Sequence, residues 1–481
     1  MTRDKRQERI DLLQAVIAEY NRLAGAGTIT EHDINQWEIV DAELVKLRRV
    51  HRAEVDMLYF FYEYFSEARN PGNPDNLVPD PACGMKDAPD FHCQLSNILD
   101  SVSNVNKTAR ICWAASRGHA KSAYLSNAFP LREIVYRKRK MILIVSETGS
   151  GSKKFIKWVS SQLKYNLKLR EDFGELLYEQ RSRNEKDSEE AFLTTTKIKM
   201  EATALGMQIR GFRNGAYRPD LIILDDLESR DSNNTPELRQ KARDWLNQDL
   251  MPAYNPSRTA IIFMGTLVHP ESLLNYVLNE RKDFVRNKFA AIISPPERTD
   301  LWAEFERIYK EYEPTEEELE ALNSAEGEMT PPNVKAALDF YSENKAEMDK
   351  GVKVLWESRF PIEVLMLEKV NLGSKAFNTE FMNNPIDEES QIFKPHLFTY
   401  HNDDIPYSNG EYHIGMGIDF AMGKQRGDYS AIVTIAKHKV TNKVYIIDAF
   451  GDRIHPDIFM RIIIEKVKKY QPDSIGAEAQ M

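Results

Sequence analysis

The clearest pattern along the chain is a set of four short, almost unbroken apolar runs. They are residues 109–114 (Ala-Arg-Ile-Cys-Trp-Ala), 141–145 (Met-Ile-Leu-Ile-Val), 221–224 (Leu-Ile-Ile-Leu) and 259–264 (Thr-Ala-Ile-Ile-Phe-Met). Stretches that read as helices separate them, among them 152–165 and 236–250. A strand that is apolar at nearly every position is covered on both faces, and helical crossovers between such strands make them parallel. The middle of the chain, about 107–275, therefore predicts a parallel sheet between helical layers. Sites in such sheets lie at the carboxyl ends of the strands.

The flanks read differently. Residues 1–90 are charged and helix-rich: Ile10, Leu13, Val16 and Ile17 recur at helical spacing, and a second amphipathic run extends over 34–65. Residues 70–90 are rich in Pro, Gly, Asn and Asp and predict a loop. Residues 300–370 are helical and charged, with a Glu-rich run at 316–320. From 412 onward the pattern becomes three strands (412–420, 429–437, 444–450), an amphipathic helix (456–470) and a strand (474–479). Thr441-Asn442 supplies turn residues between the second and third strands. Three strands, a helix and a strand is the opening order of a ribonuclease-H-type fold.

Composition narrows the class. The formal net charge is -10, which disfavours a tight static nucleic-acid binder, because phosphate neutralisation rewards basic surfaces. It leaves room for a machine that grips DNA transiently through a local patch. Three cysteines, Cys83, Cys93 and Cys112, are too few and too scattered for a disulfide framework or a zinc cluster. The N-terminus is charged and lacks a signal-peptide core. No run approaches the roughly 20 apolar residues a membrane helix needs. A soluble, cytoplasmic protein with no membrane partner is expected.

The candidate chemistry sits where the apolar runs end. Ala115-Ser-Arg-Gly-His-Ala-Lys-Ser122 follows the first strand and opens a predicted helix. That is the setting of a phosphate-binding loop, in which backbone N–H groups at a helix start cradle an anion. Lys121 would reach the terminal phosphates of ATP and Ser122 would hold Mg2+. Ser116, Arg117, Gly118, His119 and Ala120 would form the cradle, with Arg117 placed to neutralise transition-state charge. The run 221–224 leads into Asp225-Asp226, the arrangement of a Walker B strand. There Asp225 would hold the metal shell and Asp226 would orient or activate the attacking water. Gly265-Thr266 ends the last apolar run, where a small hydroxyl residue would sense the γ-phosphate and couple hydrolysis to motion. Arg210 and Arg213 precede the Walker B strand and could act within the chain or across a subunit boundary, with surface salt bridging the default reading of any single arginine. Each stretch also has a plain structural reading: a strand-turn-helix with a surface lysine, a strand ending in an acidic turn, a strand-end turn. The nucleotide reading draws its weight from their combination.

A second acidic set lies near the end. Strand 414–418 ends at Asp419, residues 423–428 lead to Asp428, and 474–477 leads to Glu478. In the ribonuclease-H order the strand after the helix lies parallel to the first, bringing Glu478 beside Asp419. Converging carboxylates of this kind would hold two divalent ions (Mg2+ or Mn2+) about 4 Å apart for phosphodiester cleavage. Exposed acids at strand ends are the alternative. A nuclease of this fold needs a further acid from a later helix, so the nuclease is expected to be incomplete in this chain. Arg137-Lys-Arg-Lys140 reads as a solvated helix end rather than a DNA contact.

Taken in order, these motifs resemble the large terminase subunit of tailed bacteriophages. Those that carry the likeness are residues 116–122, Arg218-Pro-Asp-Leu-Ile-Ile-Leu-Asp-Asp226 and Met264-Gly-Thr-Leu-Val-His269. Leu355-Trp-Glu-Ser-Arg-Phe-Pro361, Phe377-Asn-Thr-Glu-Phe-Met-Asn-Asn-Pro385, Gly417-Ile-Asp-Phe-Ala421 and Asp428-Tyr-Ser-Ala431 follow. The resemblance spans about residue 90 onward. It implies an ATPase that pumps double-stranded DNA into a procapsid through a portal protein. It also implies a metal-dependent endonuclease, a small terminase subunit as partner, a homo-oligomeric ring (a pentamer is suspected) and the cytoplasm of an infected host cell. It further implies that Arg117 is catalytic and that Gln94 contacts adenine; a helix cap is the other reading of Gln94. The departures are Ala115 and Ala120 in place of glycine, Asp226 in place of glutamate, and the short nuclease end.

The expected fold class is α/β: a P-loop ATPase with a mainly parallel sheet and a helical N-terminal region, followed by a truncated ribonuclease-H-like nuclease domain. The expected divisions are a helical region at 1–90, the ATPase at 91–375, a linker at 376–411 and the partial nuclease at 412–481. The competing readings are a helicase-like or remodelling ATPase with a structural terminal domain, and an assembly protein keeping a decayed nucleotide fold.

Overall fold

A computed structural model describes residues 2–316, 318, 330–385, 399, 405–420, 430–452 and 454–477. The chain forms two compact units, Met1–Ser390 and Gln391–Met481.

The first unit is built on an eight-stranded sheet. Its strands are β1 (Arg110–Ala114), β2 (Met141–Ser146), β3 (Lys186–Asp187), β4 (Ala191–Leu193), β5 (Lys199–Ala204), β6 (Leu221–Asp225), β7 (Ala260–Gly265) and β8 (Val285–Lys288). The spatial order is β3-β4-β5-β2-β6-β7-β1-β8. The six strands from β5 to β8 are mutually parallel, and β3 and β4 form an antiparallel edge. The four apolar runs are thus β1, β2, β6 and β7, and they occupy the middle of the sheet. Their side chains alternate between two cores, as the two-residue period of a strand requires. Ile111, Trp113, Ile142, Ile144, Leu221, Ile223, Ile262 and Met264 belong to one core. Cys112, Ala114, Leu143, Val145, Ile222, Leu224, Ile261 and Phe263 belong to the other.

The N-terminal region differs from the sequence reading in two ways. The run at 34–65 is two helices, Glu31–Ala53 and Met57–Phe65. Asp56 breaks it, its side chain accepting the Tyr59 N–H as the cap of the second helix. Phe60, Phe61, Tyr64 and Phe65 then enter the same core as β1 and β2, so no boundary falls at residue 90.

The segment 290–385 has its own small core. Trp302, Phe305, Tyr341, Met348, Ile362, Leu365 and Phe377 gather there, from the helices Thr299–Glu311, Pro332–Met348, Ile362–Leu372 and Ser374–Glu380. The same segment carries a two-stranded sheet, β9 (Ile292–Ser294) with β10 (Lys353–Val354). The expected linker at 376–411 requires correction at its start. Phe377, Thr379 and Asn383 are buried, and Glu380, at the end of the helix Ser374–Glu380, bonds to the loop after β1.

Arg139 also departs from the sequence reading. It is buried and donates to the carbonyls of Val102, Lys107 and Asp220 at 2.7–2.9 Å while pairing with Glu133. The basic run at 137–140 is therefore in part a buried clamp between elements.

The second unit is a four-stranded sheet of β11 (Tyr412–Asp419), β12 (Ser430–His438), β13 (Val444–Asp452) and β14 (Ser474–Ala477), in the order β13-β12-β11-β14. The first three strands are antiparallel, and β14 returns parallel to β11 with Ala477 opposite Ile418. The crossover is the helix Pro456–Tyr470, whose Phe459 and Ile463 pack with Ile414, Met416, Ile418 and Ile432.

Candidate functional site

β7 lies between β1 and β6 in the sheet. The three strand ends therefore deliver the loop 115–122, Gly265-Thr266 and Asp225-Asp226 side by side. This is the carboxyl edge of a parallel sheet, where α/β folds place their ligands.

The loop leaves β1 and enters a helix at Lys121. Gly118 has φ +79° and Ala120 has φ +56°, both in the left-handed region. Ala120 thus takes the backbone conformation for which glycine is the default, at a cost of roughly 1–2 kcal/mol for a residue with a Cβ. The N–H groups of Gly118, His119 and Ala120 meet no carbonyl partner among the described residues. With the first-turn N–H groups of the helix, which have no intrahelical partner, they make a cluster of free donors suited to an anion. Replacing Ala120 by Gly should relieve the strain, offset in part by glycine's greater entropy when unfolded. The expected net gain is about 0.5–1 kcal/mol, read as a higher urea midpoint at unchanged slope. A lower midpoint would contradict the assignment of strain.

Lys121 points into the cleft with its side chain 7% exposed. Its Nζ lies 3.2 Å from Thr266 Oγ1 and 3.3 Å from Asp226 Oδ2. Thr266 Oγ1 in turn donates to the Ala115 carbonyl at 3.3 Å, tying the end of β7 to the loop. Gly265 allows close approach: a Cβ there would meet Asp226 Oδ1 at 3.3 Å, and that side chain would have to yield.

Asp225 is buried. Ser122 Oγ donates to its Oδ1 at 3.1 Å and Ser126 Oγ to its Oδ2 at 2.6 Å. Burial and the neighbouring Asp226 charge push its carboxyl up to about 6, against the pull of Ser126, Lys121 and Ser122. Asp226 is half-exposed, at φ +44°. Its N–H donates to the Met264 carbonyl, and its own carbonyl accepts from the Glu147 N–H.

Ser122 and Asp225 fit magnesium by donor chemistry: two hard oxygen ligands at one point, on rigid elements. Among the described residues no group of three or more His, Cys, Asp or Glu could hold a metal. Any ion here would complete its shell with water and ligand oxygens, which is how magnesium is ordinarily held beside a phosphate.

The loop is braced from the segment 356–383. Ser116 Oγ donates to the Phe381 carbonyl at 2.5 Å and the Arg117 N–H to the Glu380 carbonyl at 2.9 Å. Glu380 also bridges the guanidinium groups of Arg117 (3.2 Å) and Arg230 (3.4 Å). Phe360 stacks on His119 with centroids 4.8 Å apart. A Cβ on Gly118 would come within 2.9 Å of the Phe360 ring. The His92 ring donates from Nε2 to the His119 carbonyl at 3.1 Å.

The structure thus brings Lys121, Ser122, Asp225, Asp226 and Thr266 together. Two cavities flank them. One, of about 460 Å³, is lined by Arg117, Glu147, Asp226, Arg230, Thr266 and Glu380, among others. The other, of about 280 Å³, is lined by Ser122, Glu147, Lys154, Asp225 and Asp226, among others. Gln94 is not in this cluster. It is exposed on the helix Asp90–Asn104 and lines a separate cavity of about 820 Å³ with Phe91, Phe289 and Trp356. Arg210 donates to the Gln248 carbonyl. In the second unit Asp419 is exposed at the end of β11, opposite Ala431. Asp428 and Glu478 lie outside the described residues.

Sequence reading missed Ser126, Glu147, Arg230 and Glu380. Ser126 sits in a π-helical stretch, Ala123–Ala128, and no sequence pattern announces that geometry. Glu147 follows directly on an apolar strand, the same signal that marked Asp225-Asp226.

No family model matches this chain, and no curated protein matches it. Among solved structures, the large terminase from a thermophilic bacteriophage matches at 7% identity and TM-score 0.32, covering 80% of this chain and 76% of that one. The same protein in complex with ADP matches at 7% identity and TM-score 0.30, covering 80% and 77%. No described helix is long and apolar enough to cross a membrane.

Proposed function

We propose that this chain is an ATP-hydrolysing motor that drives double-stranded viral DNA into a procapsid, of the kind found in large terminase subunits. The observation that carries the ATPase reading is the convergence of Lys121, Thr266 and Asp226 from three adjacent strand ends, with Ser122 on Asp225 beside them. The ordered motifs from residue 116 to 431 carry the step from ATPase to packaging motor.

In this reading the cradle N–H groups of residues 118–122 bind the β-phosphate, and Lys121 spans the β- and γ-phosphates. Ser122 and Asp225 would hold magnesium, which neutralises charge on the phosphate oxygens. Arg117, released from Glu380, meets the negative charge that develops on the transferring phosphoryl group. Asp226 orients water at the γ-phosphate. Thr266 links Lys121 to the end of β7 and reports whether that phosphate is present.

The proposed partners are double-stranded DNA, a portal protein, a small terminase subunit and further copies of this chain in a ring. The second unit is proposed to carry a metal-dependent endonuclease centred on Asp419, with Asp428 and Glu478. Metal-dependent cutting that persists in Asp419→Ala would contradict the metal assignment to Asp419. The motor reading is tested by ATP turnover with and without linear double-stranded DNA. Magnesium-dependent turnover that rises several-fold with DNA is expected. Turnover indifferent to DNA across salt concentrations would contradict a translocase.

A further inference from the structure

The sequence assigns the water-directing role to Asp226, but the geometry leaves that residue poorly placed to serve as a base. Its carboxylate is paired with Lys121 at 3.3 Å. Its side chain is one methylene shorter than a glutamate's. A general base needs a carboxylate free to accept a proton and within hydrogen-bond reach of the water.

Glu147 offers a carboxylate of that kind, at the rim of the phosphate cradle. It follows β2, which pairs directly with β6, so it lies one strand over from Asp225-Asp226 at the same carboxyl edge. Its N–H donates to the Asp226 carbonyl at 3.3 Å, which fixes its backbone to the Walker B turn. Ser229 Oγ donates to its Oε1. That bond engages one carboxylate oxygen, while Oε2 has no protein partner and no cation is paired with the group among the described residues. Glu147 and Asp226 are the two residues that line both cavities flanking the phosphate cradle. A carboxylate with one oxygen hydrogen-bonded, no paired cation and a backbone tied to the Walker B turn suits general-base catalysis.

We propose that Glu147 is the general base of ATP hydrolysis in this chain, with Ser229 as its positioning residue; the proposal rests on the nucleotide reading of the site. The water oxygen forms a bond to the γ-phosphorus. The bond from that phosphorus to the β,γ-bridging oxygen breaks, and ADP leaves with its electron pair. The water proton passes to Glu147 Oε2. No oxidant or reductant is involved.

The test compares steady-state ATP turnover and ATP-dependent thermal shifts in the full chain and its variants. Glu147→Gln keeps the size and the Ser229 contact, so it should fold and bind ATP as the wild type does. Its kcat should fall by about 10²–10⁴-fold with KM little changed. Glu147→Asp should recover part of that loss, and Ser229→Ala should lower kcat several-fold at unchanged KM. A Glu147→Gln turnover within threefold of wild type would overturn the proposal. So would a deeper loss in Asp226→Asn, or loss of ATP binding in Glu147→Gln. A wild-type chain that neither binds nor hydrolyses ATP would instead remove the site reading, and the proposal with it. The two failures are distinguishable, because the first appears only in the variants.

Discussion

Replacing Lys121 with alanine should lower ATP turnover by about 10²–10³-fold or more and abolish the ATP-dependent rise in melting temperature. The lysine is held inside the cleft between Thr266 and Asp226. Its removal takes away the charge that would face the terminal phosphates where water is scarce and electrostatic contacts are strongest. The fold should survive. Alanine is the best helix former, and the carboxylate it strands, on Asp226, is half-exposed and can turn to water. Lys121→Arg should not rescue turnover, since a planar guanidinium does not occupy the slot of a compact ammonium. Thermal shift with and without magnesium-ATP separates lost binding from lost chemistry. Unchanged turnover in Lys121→Ala would remove the assigned site.

The second large effect is on stability, and it lies behind the loop. His119 and His92 are both buried, and burial pushes each ring down to about 4. His119 Nδ1 faces the Arg117 carbonyl at 2.9 Å and so carries the proton, which leaves Nε2 buried without a partner. Protonating Nε2 would place a charge among Phe360 and Trp356 with no acceptor. Both groups titrate lower in the folded state than in the unfolded one. Their contribution is therefore fully present above about pH 6.5 and is lost as pH falls through about 4. The loss is about 3 kcal/mol per histidine at most. Urea denaturation from pH 7.5 to 5 should show the wild type losing stability faster than His119→Phe, which keeps the stack on Phe360 but cannot titrate. Parallel pH profiles for the two proteins would contradict this.

Much of the sheet was legible because β1, β2, β6 and β7 are buried on both faces and spell their burial directly. β5 was not, because Lys199, Glu201 and Thr203 interrupt its apolar positions. β8 was not, because all of Val285–Lys288 is exposed and the strand is held through its backbone to Ile111–Ala114. The cluster at the strand ends was legible in Lys121, Ser122, Asp225, Asp226 and Thr266, since each directly follows an apolar run or the loop after one. The brace behind the loop was not. The Arg117–Glu380 contact joins residues 263 apart, and a single sequence carries no sign of such a pairing. The start of the expected linker failed for the same reason: the short helix Ser374–Glu380 looks like a connector until Phe377 and Asn383 are seen to be buried. Ala120 shows the converse. Its spelling departs from glycine, yet its φ of +56° keeps the backbone shape that the loop requires.

The most direct measurement is a crystal structure of the chain with ADP and magnesium. The β-phosphate should lie against the N–H groups of residues 118–122, with Lys121 turned from Asp226 toward it. Magnesium should lie between Ser122 and Asp225. Nucleotide bound elsewhere, or a cradle that stays closed around Lys121 and Asp226 at saturating ADP, would contradict the account.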